Sequence, residues 1–493
     1  MVPTLTDAKR HGRHRSSCCS TRVVVTVVLA VVALLLVQHT FSAKTMRAVR
    51  KALRSVVRAA GATILAPTVE SVASRNLMAP LLASAAGIAA AGGVCIVDTE
   101  ALAPPSVTGH PRLFPVTGGE HIDGLSQYGL ETTLIRLLED SPYLAQDDDA
   151  AALYVVPQYA TLETHGCLYA VSPIPPRRLE DCAANVTRDY LMPIIRAVQA
   201  MPAYRRSNGS NFVWVFPWDL SWEMFPGVPA ALSSNLFWGY TGPATNLVSV
   251  PVTARVTVAL EDTERNSILG GHSAAHASAL LADPAFRTNC ATLPPHRYLA
   301  SFAGTIYAFR GYSKGLRQDL LEAFPEARAA ETRVIVLDRH VGAEEYRVLL
   351  RESLFCLSPQ GWTPWSQRLY FAVAAGCIPV FFEMEGFNVQ LPFPDIVDWR
   401  SISIVVPEGR AKDVAVILGA VPAADICRMR LALTRAVPFL LWSHSPDTVL
   451  LGALHGAWQA VRARALRATG SAQTGNVSSG ARGLHIARAG ADA

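Results

Sequence analysis

Residues Phe355–Val380 read FCLSPQGWTPWSQRLYFAVAAGCIPV, and this stretch decides the fold. Leu354–Leu357 is a short apolar run, stopped by Ser358-Pro359-Gln360-Gly361. Proline and glycine there break a strand and open a loop. A helix is predicted from Trp365 or Ser366 through Arg368 and Ala374, ending at Gly376, since glycine is a natural C-terminal stop. Cys377–Phe382 then reads as a second buried strand. Strand, loop, helix and strand in that order imply a parallel sheet with a right-handed crossover. Ligands of such sheets sit outside the carboxyl ends of the strands, so the loop 358–366 is a candidate site. The helix behind it would offer N–H groups to an anion. Ser366 could donate to a phosphate oxygen, and Arg368 carries a planar fork suited to one.

Outward from this centre, the chain alternates apolar runs with helical spacing, the pattern of an α/β protein. Its 493 residues are enough for two or three domains, and half of them are apolar. The net charge of +5 is small and partly terminal, which argues against a nucleic-acid binder. Strands are expected at Arg112–Val116, Leu153–Val156, Phe212–Phe216, Arg297–Gly304, Val334–Leu337 and Ile402–Val406. Thr161–Cys182 reads as a polar, proline-bearing loop, and residues 226–250 as irregular.

The N-terminus has its own organisation. Lys9, Arg10, Arg13, Arg15 and Arg22 precede the apolar run Val23–Val37. With Thr40 and Phe41 that run approaches the ~20 residues of a membrane span. It is long for a cleaved signal peptide, so a signal anchor is expected. Ala-, Ser- and Val-rich residues follow as a stem, within which 77–97 is a diluted second apolar stretch. Asn185, Asn208 and Asn476 stand in glycosylation sequons. Cys167 and Cys182 bracket the 161–182 loop and are expected to pair in an oxidising compartment, whereas Cys356 and Cys377, in buried strands, are expected to stay reduced.

Phe355–Leu357, Pro359, Gly361, Ser366, Arg368 and Ala375–Val380 together resemble the signature of the exostosin-like glycosyltransferases, family 47. The likeness extends to Tyr128-Gly129 with Glu131, Ser141-Pro142, Val156-Pro157, Tyr159-Ala160 and Arg297–Gly304, and covers about residues 112–440. It implies two facing, doubly wound Rossmann-like domains of the GT-B type behind the anchor and stem. The expected division is cytoplasmic tail 1–22, transmembrane anchor 23–41, stem 42–105, acceptor-side domain 106–290, nucleotide-sugar domain 291–445, and a C-terminal helix and tail 446–493. The implied protein is a single-pass type II Golgi membrane enzyme with a lumenal catalytic domain. It would move a sugar, with inversion, from a nucleotide-sugar donor such as a UDP-sugar to a glycan acceptor, alone or in an oligomer with another transferase.

A departing diphosphate needs cations or helix N-termini around it. The donor-side candidates are Arg310, Lys314, Arg317, Gly361, Ser366 and Arg368. An acceptor hydroxyl needs a base; Asp219, His165 and Glu163 are the candidates. Asp147–Asp149 precede their strand and read as a cap, not a metal site, and no HExxH or paired CxxC is present. A metal-independent transfer without a cofactor is therefore expected. Phe371 stands where the resemblance calls for a carboxylate. It motivates the alternative of an inactive, glycan-binding or scaffolding relative.

Overall fold

Strand residues buried on both faces read as unbroken apolar runs, and Phe212-Val213-Trp214-Val215-Phe216 is such a run, buried throughout. Its rings Phe212, Trp214 and Phe216 enter one core, while Val213 and Val215 enter another on the opposite face, as a two-residue repeat requires. In this computed structural model the residues described are 72–99, 129–145, 147–169, 179–218, 221–240, 246–251, 296–339, 341–363, 366–384, 391–442 and 445–468. The chain divides into units 1–70 and 71–493; all described residues lie in the second.

Two parallel sheets organise them. The first runs β1 (Val94–Ile96), β2 (Leu153–Val156), β3 (Phe212–Phe216), β4 (Leu236–Gly239) and β5 (Leu247–Ser249), in that spatial order. The second comprises β6 (Tyr298–Ala303), β7 (Val334–Leu337), β8 (Ser353–Leu357), β9 (Ile378–Phe382) and β10 (Ile404–Val406), ordered β10-β9-β8-β6-β7. Every pairing among these strands is parallel. The first sheet grows in one direction through its described strands. The second reverses: β7 lies on one side of β6 and β8 on the other. The reversal opens a crevice outside the carboxyl ends of β6 and β8, where an open α/β sheet takes its ligand.

Several expectations change. The stretch 72–97, assigned to the stem, is a helix, Val72–Ala90, followed by β1 in the first sheet. Leu81, Ala85 and Ile88 of that helix are buried, so its apolar residues serve a core and not a bilayer. Among the described residues no helix is long and apolar enough to cross a membrane; the anchor expected at 23–41, the strand at 112–116 and the sequon at Asn476 lie outside the described residues. Thr161–Cys182 is not one loop. It contains the helices Ala160–Tyr169 and Leu179–Val186. The first is capped from outside, since Ala160 N–H donates to Gln158 Oε1 at 2.7 Å and Thr161 N–H to Glu131 Oε1 at 3.1 Å. Residues 226–250 hold β4 and β5, whose three or four residues are too short to show a period.

The C-terminal helix Pro446–Ala468 is part of the first lobe rather than an appendage. Arg464 near its end donates to the carbonyls of Ser210, Ser234 and Asn235 and to Asn246 Oδ1. These acceptors all lie at the amino ends of β3, β4 and β5. Trp238 of β4 donates to Ala453 O at 3.1 Å, and Trp442 to Pro251 O at 2.8 Å. One apolar core therefore runs from Leu81 and Leu153 through Leu450 and Leu454 to Tyr370 and Trp399.

Cys167 and Cys182 form a disulfide, Cα–Cα 5.7 Å, joining the helices Ala160–Tyr169 and Leu179–Val186. Cys356 and Cys377, expected to be reduced, are also bonded, Cα–Cα 5.8 Å. The pairing of β8 with β9 accounts for it: Cys356 lies opposite Pro379, and Cys377 immediately precedes β9.

Candidate functional site

The crevice between β6 and β8 is built from two loops, 304–315 and 358–363, that leave adjacent strands. The first carries strain: Ser313, Lys314 and Gly315 have φ of 53°, 48° and 82° in succession. Left-handed conformation at a non-glycine residue costs about 1–2 kcal/mol, so the surroundings must fix it. One such bond joins the two loops, Ser313 N–H to Gly361 O at 3.2 Å. Gly361 packs tightly, because a Cβ there would lie 3.2 Å from Tyr312 Oη and 3.3 Å from Arg317 Nη2.

Arg317 opens the helix Leu316–Ala323 and is 2 % exposed. Its guanidinium donates to Gln360 O at 2.9 Å, Thr305 O at 2.8 Å, Pro359 O at 3.1 Å and Tyr312 Oη at 2.5 Å. It was expected to grip a diphosphate directly. Instead its donors are spent on the carbonyls of both loops, and it holds the crevice in shape. Burial, then repulsion from Arg368, pulls its pKa down to about 10.

Arg368 is the group with capacity to spare. It begins the helix Arg368–Ala374, which is seven residues long and starts later than the spacing predicted. Nε donates to Ala303 O at 3.1 Å, and Ser366 Oγ lies 3.4 Å from Nη1 and 3.3 Å from the Arg368 amide. Ser366 thus orients the arginine. Among the described residues nothing accepts from Nη2. Both guanidinium carbons stand over the Phe302 ring, Arg317 at 5.3 Å and Arg368 at 5.2 Å from its centroid. Neither arginine pairs with a carboxylate among the described residues. Two neighbouring cations, one buried and one half-buried, with no counter-charge are costly, and an anion between the loops would relieve that cost. Ser358 Oγ and Gln360 Oε1, at the end of β8, are also buried without a hydrogen-bond partner.

The remaining donor-side candidates stand apart. Arg310 is exposed and paired with Asp319 at 2.6 Å, because its chain folds over Gly315. Lys314 is exposed on the left-handed turn. Phe371, in the expected carboxylate position, packs edge-to-face on Tyr346 with centroids 5.9 Å apart.

Of the three base candidates, the described residues include the side chain of Glu163 alone. Asp219 lies outside the described residues. His165 falls on the helix Ala160–Tyr169, its side chain outside the description. Glu163 on that helix is 2 % exposed. A carboxyl quoted only as part of the resemblance is the more unusual one. Glu131 is 1 % exposed and accepts from Thr161 N–H, Leu162 N–H and Gln158 Nε2 at the carboxyl edge of the first sheet. Desolvation pushes its pKa up to about 8 against these hydrogen bonds. Its burial, set by tertiary packing, had no local signal. Among the described residues no three His, Cys, Asp or Glu side chains gather to hold a metal ion. Of the sequons, Asn208 is exposed at a left-handed helix end. Asn185 is half-buried beside Arg188 at 3.1 Å, with the Thr187 hydroxyl turned inward to Ala183 O.

Comparison with known proteins agrees with this second lobe. Residues 279–421 match the Exostosin GT47 domain. The chain is similar to a probable glucuronoxylan glucuronosyltransferase of Arabidopsis thaliana, 38% identical over 24% of this chain and 23% of that protein. A probable glucuronosyltransferase, GUT1, of Oryza sativa subsp. japonica is 23% identical over 62% of this chain and 67% of its own. A probable beta-1,4-xylosyltransferase, IRX10, of Arabidopsis thaliana is 39% identical over 16% and 18%. The first relatives are thus matched over about a quarter of their length. The crevice, with Arg317, Gly361, Ser366 and Arg368, falls inside the segment that matches the Exostosin GT47 domain.

Proposed function

We propose that the chain is a glycosyltransferase of the GT-B type that uses a nucleotide-sugar donor, with UDP as the leaving group. The observation that carries this reading is the uncompensated pair Arg317 and Arg368 at the switch point of the second sheet. A diphosphate is the anion such a crevice suits, because a fork on a fixed arginine binds it with two parallel hydrogen bonds. In the inverting transfer the acceptor oxygen attacks the anomeric carbon. That C–O bond forms as the bond to the diphosphate oxygen breaks; the electron pair leaves with the diphosphate and the hydroxyl proton passes to a base on the first lobe. Arg368 stabilises the charge that accumulates. The glucuronosyl and xylosyl names of the relatives make a glucuronosyl or pentosyl group the first donors to try, with a glycan as acceptor.

The reading extends to place. Two disulfides suit an oxidising compartment, and the apolar run at 23–41 would hold the protein in the Golgi membrane with its lobes lumenal. It extends also to metal independence, because the site offers arginines where a metal-dependent enzyme would offer carboxylates.

Calorimetry with UDP on the purified chain, with and without chelator, tests the reading. Arg368→Ala should weaken UDP by about 1.5–3 kcal/mol, and Arg368→Lys should be impaired too, since a point charge lacks the fork. Binding lost with chelator, restored by manganese and indifferent to Arg368→Ala would overturn it.

A further inference from the structure

The same two loops turn large rings toward solvent. Tyr307 is 49 % exposed, Phe309 65 % and Trp362 60 %. Exposed aromatics that are scattered need no explanation, but a cluster does. Here the cluster is built. Tyr312, 7 % exposed, stands between Tyr307 and Trp362, edge-to-face with each at 4.8 and 5.1 Å. Tyr312 is in turn held by the buried Arg317. Gln318 Nε2 donates to the carbonyls of Tyr307 and Phe309, which fixes the turn carrying the other two rings.

We propose that Trp362 and Tyr307, set by Tyr312, form an acceptor platform on which a chain of pyranose rings lies, and that this platform belongs to the transferase site argued above. Three features select a glycan. Equatorially linked pyranoses present flat C–H faces, which stack on aromatic rings, and exposed rings lose no hydration of charged groups when covered. Two exposed rings, Tyr307 and Trp362, flank the one buried Tyr312, so the surface offers more than one ring, as a chain of several sugar units would use. Lastly, the platform is continuous with the cation site. Arg317 bonds Tyr312 and lies over the same Phe302 ring as Arg368, so a glycan on the rings would bring a hydroxyl toward the anomeric carbon of a sugar whose diphosphate Arg368 holds.

The test is calorimetric, on the purified full chain saturated with UDP, titrating xylohexaose and cellopentaose separately. Trp362→Ala should weaken whichever oligomer binds by about tenfold or more, as for a central aromatic anchor, and leave UDP affinity within about twofold. Trp362→Phe should keep most of the oligomer affinity, and Tyr307→Ala should lose part of it. Trp362 is exposed, so these variants are expected to fold as the parent does. Equal loss of UDP and oligomer in Trp362→Ala would make the ring a base platform and overturn the proposal. Unchanged oligomer affinity would do the same, as would a parent chain that binds UDP but neither oligomer. A parent that binds neither would remove the transferase reading, and the platform with it.

Discussion

Gly304 gives the sharpest test of how Arg368 is held. The residue follows β6 with an ordinary backbone, so alanine fits the main chain. A Cβ there would lie 2.1 Å from Arg368 Nη2, 2.7 Å from Cζ and 2.9 Å from Nε. The obstructed group is the end of a flexible side chain, which yields before the backbone does. Gly304→Ala should therefore swing the guanidinium off Ala303 O and the Phe302 face without removing a charge. Losing that neutral-acceptor hydrogen bond and the ring contact should lower stability by about 1–2 kcal/mol, a few degrees in Tm for a lobe of this size. Losing a charged hydrogen bond to diphosphate should weaken UDP by about 1.5–3 kcal/mol, roughly tenfold to a hundredfold. Calorimetry at one fixed salt concentration reads the affinity, and a thermal melt reads the fold. Because both changes disable one contact, Gly304→Ala with Arg368→Ala should bind UDP no worse than Arg368→Ala alone. Parent-like UDP affinity in Gly304→Ala, or strictly additive losses in the pair, would refute the placement of the diphosphate at Arg368.

Arg317→Ala leaves the carbonyls of Thr305, Pro359 and Gln360 without their donor and should destabilise the second lobe by about 2–4 kcal/mol, measured by denaturant unfolding. Glu131 has its folded pKa raised from 4.5 to about 8. The fold therefore keeps a proton that the unfolded chain releases, and stability should be full below about pH 4.5 and fall as pH rises toward about 8; Glu131→Gln should flatten that slope in melts across this window. Peptide mapping without reduction should recover Cys356 linked to Cys377, and Cys377→Ala should cost about 3 kcal/mol if the bond restrains the unfolded chain as a loop of its length does. Expressed in a secretory host, Asn208→Gln should remove an endoglycosidase-sensitive gel shift, with Asn185→Gln changing mobility less because its sequon is half-buried.

Much of the second lobe was legible locally. Phe355–Leu357, the Pro-Gln-Gly stop and Cys377–Phe382 are continuous apolar runs with breakers between them, and they became β8, its loop and β9. The first lobe was read less well, for physical reasons. β4 and β5 have three or four residues, too few for a period. The helix Ala160–Tyr169 starts on caps lent by Gln158 and Glu131, and one of those is distant in sequence. The helix Val72–Ala90 looks apolar and diluted in either a stem or a core; only the packing of Leu81 and Ile88 beside the C-terminal helix decides between them.

The site divides in the same way. By itself the sequence determined the kinds of group available: arginines, a serine and glycines in loops that follow strands, a chemistry suited to anions. Which of them act together was decided by strand order. Because β8 lies beside β6 and not beside β7, Arg317 and Arg368 both reach the ring of Phe302 though far apart along the chain. Tertiary structure then assigned them different work. Arg317 is enclosed by carbonyls and shapes the loops, whereas Arg368 Nη2 has no acceptor among the described residues and Arg310 is diverted to Asp319. A side chain's type is local, but its solvation, partners and neighbouring charges belong to the fold. Those decide whether an arginine binds a substrate or a backbone.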